Sequence, residues 1–117
     1  MTAETDDRDI ASAPATRRRI RVLFVCTGNS ARSLLAESLL REAGEGDFEV
    51  HSAGTHPAGV NPLTITVLRE AGLPTDGLRS KSVNEFLDQS FDYVITLCDD
   101  ARQVCPVFPG VHESLHW

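Results

Sequence analysis

The sequence predicts a small α/β domain built on a parallel sheet. Two observations carry this. Apolar runs of strand length alternate with amphipathic stretches of helical period, an order that lays helices against parallel strands through right-handed crossovers. Two cysteines, Cys26 and Cys98, each stand directly after an apolar run. Both therefore lie at carboxyl ends of strands, the rim where ligands bind on such sheets.

Residues 1–16 are polar and acidic, with Asp6, Asp7 and Asp9, and read as a disordered tail; residues 17–117 are left as the single domain. Arg17, Arg18 and Arg19 read as a solvated strand entry. Val22-Leu23-Phe24-Val25 is a buried strand ending at Cys26. A six-residue loop, Thr27-Gly28-Asn29-Ser30-Ala31-Arg32, leads to Ser33 and a helix. Leu35 and Leu39 lie one turn apart on that helix, Leu40 and Ala43 lie beside them, and Gly44 ends it. Residues 48–53 alternate as a second strand does. Asn61 and Pro62 form an N-cap and first helical position, followed by an apolar face of Leu63, Val67 and Ala71, widened by Ile65 and Leu68. Ser82 and Glu85 have capping-box spacing before a short helix through Phe86 and Leu87. Residues 93–97 form a third buried strand, Cys98 follows with no strong helix signal after it, and a weak strand over residues 114–117 closes the sequence.

Composition narrows the function. With 117 residues there is one domain at most, and a net charge of −6 without a basic stripe argues against nucleic-acid binding. No apolar run reaches the roughly 18 residues of a membrane span. The N-terminus carries no apolar signal-peptide core, so a cytoplasmic location is the default expectation. Three cysteines, an odd count, argue for free thiols rather than a disulfide framework. Cys98, Cys105, His112 and His116 could nominally make a zinc set, but the cysteine spacing is wrong for a knuckle, so no metal is expected.

The loop after Cys26 carries the chemistry. Backbone N–H groups curling before a helix N-terminus, with the helix dipole behind them, suit an anion. Arg32 adds a planar fork of donors matched to a tetrahedral oxyanion. The same positive field favours a thiolate at Cys26, the nucleophilic form of cysteine.

Cys26-Thr27-Gly28-Asn29-Ser30-Ala31-Arg32-Ser33 resembles the phosphate-binding loop of low-molecular-weight protein tyrosine phosphatases and of the thioredoxin-coupled arsenate reductases related to them. The resemblance implies a small three-layer fold with a four-stranded parallel sheet. The stretch from Leu97 to Pro106 is similar to the arsenate-reductase segment that carries two redox cysteines, here Cys98 and Cys105; phosphatases of this fold lack the pair. The implied function is reduction of arsenate to arsenite for arsenic detoxification, without a cofactor. Cys26 attacks arsenic, Cys98 attacks Cys26, Cys105 takes over the disulfide, and thioredoxin reduces it. The implied oxyanion ligands are Thr27, Gly28, Asn29, Ser30, Ala31 and Arg32. Ser33 supports the nucleophilic thiolate, Asn29 holds the loop, and Ser52 lies near Asn29. Some family members bind potassium beside this network through an acidic side chain. Lys81 stands at the matching position, and its ammonium is expected to replace the ion.

The sequence departs from the family after His116-Trp117. Family members continue into a loop with an Asp-Pro pair, whose aspartate is the general acid, and into a final helix. The expectations are a C-terminally truncated domain with an apolar sheet face exposed, and a monomer when full length. A phosphatase of the same fold and a non-catalytic oxyanion-binding module are the rival functions.

Overall fold

A computed structural model describes residues 19–110 and 112–117. The tail expected over residues 1–16 lies outside the described residues. The chain runs β1 (Ile20–Cys26), α1 (Arg32–Ala43), β2 (Phe48–Gly54), α2 (Pro62–Glu70), a 3-10 turn (Val83–Phe86), β3 (Tyr93–Thr96), α3 (Asp99–Val104) and β4 (Glu113–His116). The four strands form one sheet in the order β2-β1-β3-β4, every pair parallel. β1 is central because its run of Val22 to Cys26 has apolar side chains for both faces, as a strand covered on both sides requires.

Alternation along β1 splits the core in two. Leu23 and Val25 face a cluster with Ala53, Val83, Phe86, Phe91, Val94, Ala101 and Phe108, against which Cys98 and Cys105 pack. Val22 and Phe24 face the other way, with Val50 and Ile95, and meet Ala36 and Leu40 of α1. The second layer is thin. An apolar cleft lies open there, rimmed by Leu39, Tyr93 and Trp117. At the opposite end of β1 from Cys26, Arg21 binds Glu49 of β2 through Nε and Nη2, at 3.1 and 2.9 Å, and caps the Phe91 ring 4.7 Å from its centroid.

Four expectations need correction. Residues 99–104, read without a helix signal, form α3. Asp99 and Asp100 in its first turn and Arg102 in its last complement the helix dipole, and Ala101 is buried beneath it. On α2, Leu63 and Val67 are 69% and 49% exposed, and the buried residues are Thr64 and Leu68. The Thr64 hydroxyl donates to Ser30 O at 2.7 Å, and that bond sets the rotation of the helix. On α1, Leu39 and Ala43 are exposed, while Ser33, Leu34 and Glu37 are buried. The Ser82–Glu85 capping box is half made. Ser82 Oγ accepts from Asn84 N at 3.1 Å, but the Glu85 carboxylate turns to Arg79 at 2.8 Å. The Asn61 N-cap forms as expected, its Oδ1 accepting from Leu63 N at 2.9 Å.

Candidate active site

Cys26 ends β1 and is buried, and the loop that follows is stitched from outside. Thr27 O accepts from His56 N at 2.8 Å, Gly28 O from Ala58 N at 2.9 Å and Ser80 Oγ at 3.0 Å, and Ser30 O from Asn61 N at 3.1 Å. With these carbonyls held outward by the segment after β2, the opposed N–H groups of the same planar peptides face inward. Close approach of β2 makes this possible. A Cβ on Gly54 would lie 2.6 Å from Thr27 O and 2.9 Å from Asn29 N, so only glycine fits. The N-cap of α1, Ala31, makes no side-chain cap bond, so the helix start is not blocked by its own cap.

Thr27, Gly28, Ser30, Ala31 and Arg32 line a pocket of about 320 Å³ together with Cys26, Cys98 and Asp100. Asn29 departs from the expected pattern. Its side chain is fully buried and its backbone N–H donates to Cys26 Sγ at 3.2 Å. Its φ of 45° is left-handed, a conformation asparagine tolerates better than most residues. The amide Nδ2 donates to Ser33 Oγ at 2.8 Å and Ser52 Oγ at 2.9 Å, and Oδ1 accepts from Lys81 N at 2.6 Å. Ser33 Oγ in turn lies 2.9 Å from Cys26 Sγ. Arg32, at the pocket rim, donates from Nη1 to Leu97 O at 2.8 Å, which ties the end of β3 to the loop.

Behind the loop sits a residue the sequence reading missed. Glu37 accepts from Ser52 Oγ and pairs with Arg41, and its Oε1 lies 3.5 Å from Lys81 Nζ. Its position one turn after Ser33, with Arg41 one turn further, was the available signal. Lys81 is 8% exposed and its Nζ also donates to Arg79 O at 2.8 Å. Burial lowers the Lys81 pKa, and Glu37 opposes that by favouring the ammonium. The network thus carries its own cation, and these residues do not fit a bound potassium ion. Among the described residues, no three His, Cys, Asp or Glu side chains converge as metal ligands.

Cys98 is the N-cap of α3 and Cys105 its C-cap. Cys98 Sγ lies 3.2 Å from Thr27 Oγ1. Burial opposes ionisation of Cys98, but the Thr27 hydroxyl, the backbone of Ala101 and Thr27 and the Arg32 charge outweigh it and lower its pKa. Burial raises the pKa of Cys105. The two thiols flanking one helix are therefore poised oppositely, Cys98 toward thiolate and Cys105 toward thiol.

Fold and loop together define an α/β protein with a cysteine at the floor of a pocket formed by a strand-to-helix loop, and a second thiol at the same rim. The family model for low molecular weight phosphotyrosine protein phosphatase matches residues 21–115. The chain is 38% identical over 96 residues to an arsenate reductase of Halalkalibacterium halodurans, across 82% of this chain and 69% of that protein. It is 40% identical over 97 residues to an arsenate reductase of Staphylococcus saprophyticus, across 82% of this chain and 73% of the relative. A thioredoxin-dependent arsenate reductase of Corynebacterium glutamicum superposes with a TM-score of 0.74 at 36% identity, covering 87% of this chain and 50% of that one. The chain thus spans about seven tenths of these curated relatives and half of the Corynebacterium protein. It belongs to the low molecular weight phosphotyrosine protein phosphatase family, in the branch of the arsenate reductases.

Proposed function

We propose that this chain reduces arsenate to arsenite through Cys26, Cys98 and Cys105, with thioredoxin as the reductant. One observation carries the reading: Cys98 and Cys26 line the same anion pocket, with Cys98 seated on Thr27 of the anion loop. The Cys26 thiolate attacks arsenic(V), and Arg32 and the loop amides stabilise the negative charge on the arsenate oxygens. Ser33 holds the sulfur, and Asn29, Ser52 and Lys81 hold the loop. Cys98 then attacks Cys26 sulfur. The S–As bond breaks, its electron pair stays on arsenic, arsenite leaves, and a Cys26–Cys98 disulfide remains. Cys105 attacks Cys98 and frees Cys26, and thioredoxin returns both thiols. A reducing, cytoplasmic setting suits three thiols that rest unpaired.

The experiment is arsenite production from arsenate with thioredoxin, thioredoxin reductase and NADPH, run on the chain beside Cys26→Ser, Cys98→Ser and Cys105→Ser. Turnover that needs all three thiols supports the relay. Phosphate-ester turnover that needs no reductant, with no arsenite formed, favours the phosphatase rival. Arsenate binding with neither activity favours the binding module.

No helix among the described residues is long and apolar enough to cross a membrane.

A further inference from the structure

We propose that His112 takes the proton from the Cys105 thiol when that sulfur enters the relay. The proposal rests on the reading of Cys105 as the thiol that takes over the disulfide, and adds a base to it. Burial raises the Cys105 pKa and nothing opposes it, so the resting group is a thiol. The thiolate is the nucleophile in thiol–disulfide exchange, so the proton has to leave first. Cys105 lines a cavity of about 480 Å³ beside β4, with Thr96, Arg102, His112, Ser114 and His116 on its wall. The Nδ1 atom of His112 is buried and has no hydrogen-bond partner. Among the described residues it is the one buried side-chain nitrogen or oxygen left so. A buried polar atom without a partner costs stability, and one that is retained calls for a use.

The charged and titratable groups on that wall besides His112 are Arg102, Cys105 and His116. Arg102 keeps its proton at any working pH, and the hydroxyls of Thr96 and Ser114 are not bases near neutrality. Both ring nitrogens of His116 are engaged, Nδ1 2.9 Å from Thr96 Oγ1 and Nε2 3.0 Å from Asp99 Oδ1. His112 Nδ1 is free to accept. The connection from α3 to β4 brings the pair to one cavity. Cys105 begins it and packs on the core, and Phe108 is buried in the same cluster with its ring 5.8 Å from that of Phe91. At its far end Glu113 N donates to Asp92 O at 3.0 Å, which fixes the chain beside His112. In the step itself, with the ring proton on Nε2, the Cys105 proton moves to His112 Nδ1 and leaves an imidazolium. The Cys105 thiolate attacks Cys98 sulfur. That S–S bond forms, the Cys98–Cys26 bond breaks, and its electron pair returns to Cys26 as thiolate. One disulfide replaces another, so no outside oxidant or reductant is needed. Half-buried His112 then releases the proton to solvent.

The test follows both disulfides through a single arsenate turnover without thioredoxin, at a series of pH values, in the wild type, His112→Gln and His112→Ala. Conversion of Cys26–Cys98 into Cys98–Cys105 is expected to slow about tenfold or more at neutral pH in both variants. The gap is expected to close at alkaline pH, where Cys105 ionises unaided. Formation of Cys26–Cys98 should keep its wild-type rate, which separates a lost base from a damaged fold. Unchanged conversion, or a loss of the same size at every pH, overturns the assignment. Iodoacetamide labelling of Cys105 in a Cys26→Ser, Cys98→Ser background reads the same proton transfer without arsenate. Slower labelling at neutral pH after His112→Ala, with no arsenite formed by the wild-type chain, supports the base and sinks the reductase reading. Unchanged labelling, with arsenite formed by the wild-type chain, leaves the reductase reading standing and sinks the base.

Discussion

The proposed relay requires helix α3 to open before it can finish, and that requirement is measurable. Cys98 and Cys105 flank six helical residues. At about 1.5 Å rise per residue their Cα atoms are held about 10 Å apart. A disulfide needs about 4.4–6.8 Å. The Cys98–Cys105 bond therefore cannot form on the intact helix. Gln103 and Val104 are exposed in its last turn, and Val104 is 57% exposed, so replacing both with alanine removes little packing. Alanine in their place adds about 1 kcal/mol of helix propensity. If unwinding precedes bond formation, the whole gain is added to the barrier and the step slows about fivefold. A single arsenate turnover without thioredoxin, quenched with acid and alkylated, allows the two disulfides to be followed by mass spectrometry. The double variant should convert Cys26–Cys98 into Cys98–Cys105 more slowly. An unchanged or faster conversion would refute the argument that the helix must open first.

Other consequences follow from the loop and its supports. Asn29→Ala removes three buried hydrogen bonds and places alanine at φ 45°, so a loss of about 3–5 kcal/mol is expected in urea unfolding; a loss below about 1.5 kcal/mol contradicts it. Lys81→Met leaves Glu37 with Arg41 as its remaining cation, and should cost about 2 kcal/mol. The variant, unlike the wild type, should melt higher in potassium chloride than in a larger-cation salt, and an equal response of both proteins counts against Lys81 as the resident cation. Hydrogen bonds from His51 and then Arg21 hold the Glu49 carboxyl at about 2, below its ordinary value of 4.5. Because the folded pKa is depressed, this stabilisation is complete above the unfolded value and is lost as pH falls from there towards about 2. Glu49→Gln should remove about 1–2 kcal/mol at neutral pH, after solvent screening, and flatten the acid limb of a stability–pH curve. An acid limb identical in both proteins sinks that account.

The elements that position the site were legible because their signals are local. The apolar run before Cys26, Gly44 after α1, and Asn61-Pro62 each act within one turn or one strand. What stayed hidden depends on tertiary partners. Leu63 and Val67 look like a core face until Thr64 bonds to Ser30 and turns them outward. Glu85 looks like a capping residue until Arg79 competes for it. Glu37 reads as an ordinary helical carboxylate, and its burial becomes visible only when Ser52 and Lys81 converge on it from other elements. Asn29 was placed in the loop for its role there, but that its amide serves the sulfur is a matter of φ, which no pattern of residue types displays. α3 was missed because six residues are too few for a period, although its two aspartates and Arg102 were already in helical order.

Burial of Cys105 has a further consequence outside turnover. Peroxides oxidise thiolates that are exposed and pass over thiols that are buried and protonated. Cys105, half-buried and shifted upward, sits in the second group at rest, while Cys98 is shifted downward. Under oxidative stress the sulfur proposed to close the cycle is thus kept in reserve. Between these two thiols, damage between turnovers falls on Cys98 before Cys105, and a sulfenic acid there condenses with a neighbouring thiol to a disulfide. A disulfide formed in this way is a substrate for the reductant proposed for turnover, which would return the resting chain to its thiols.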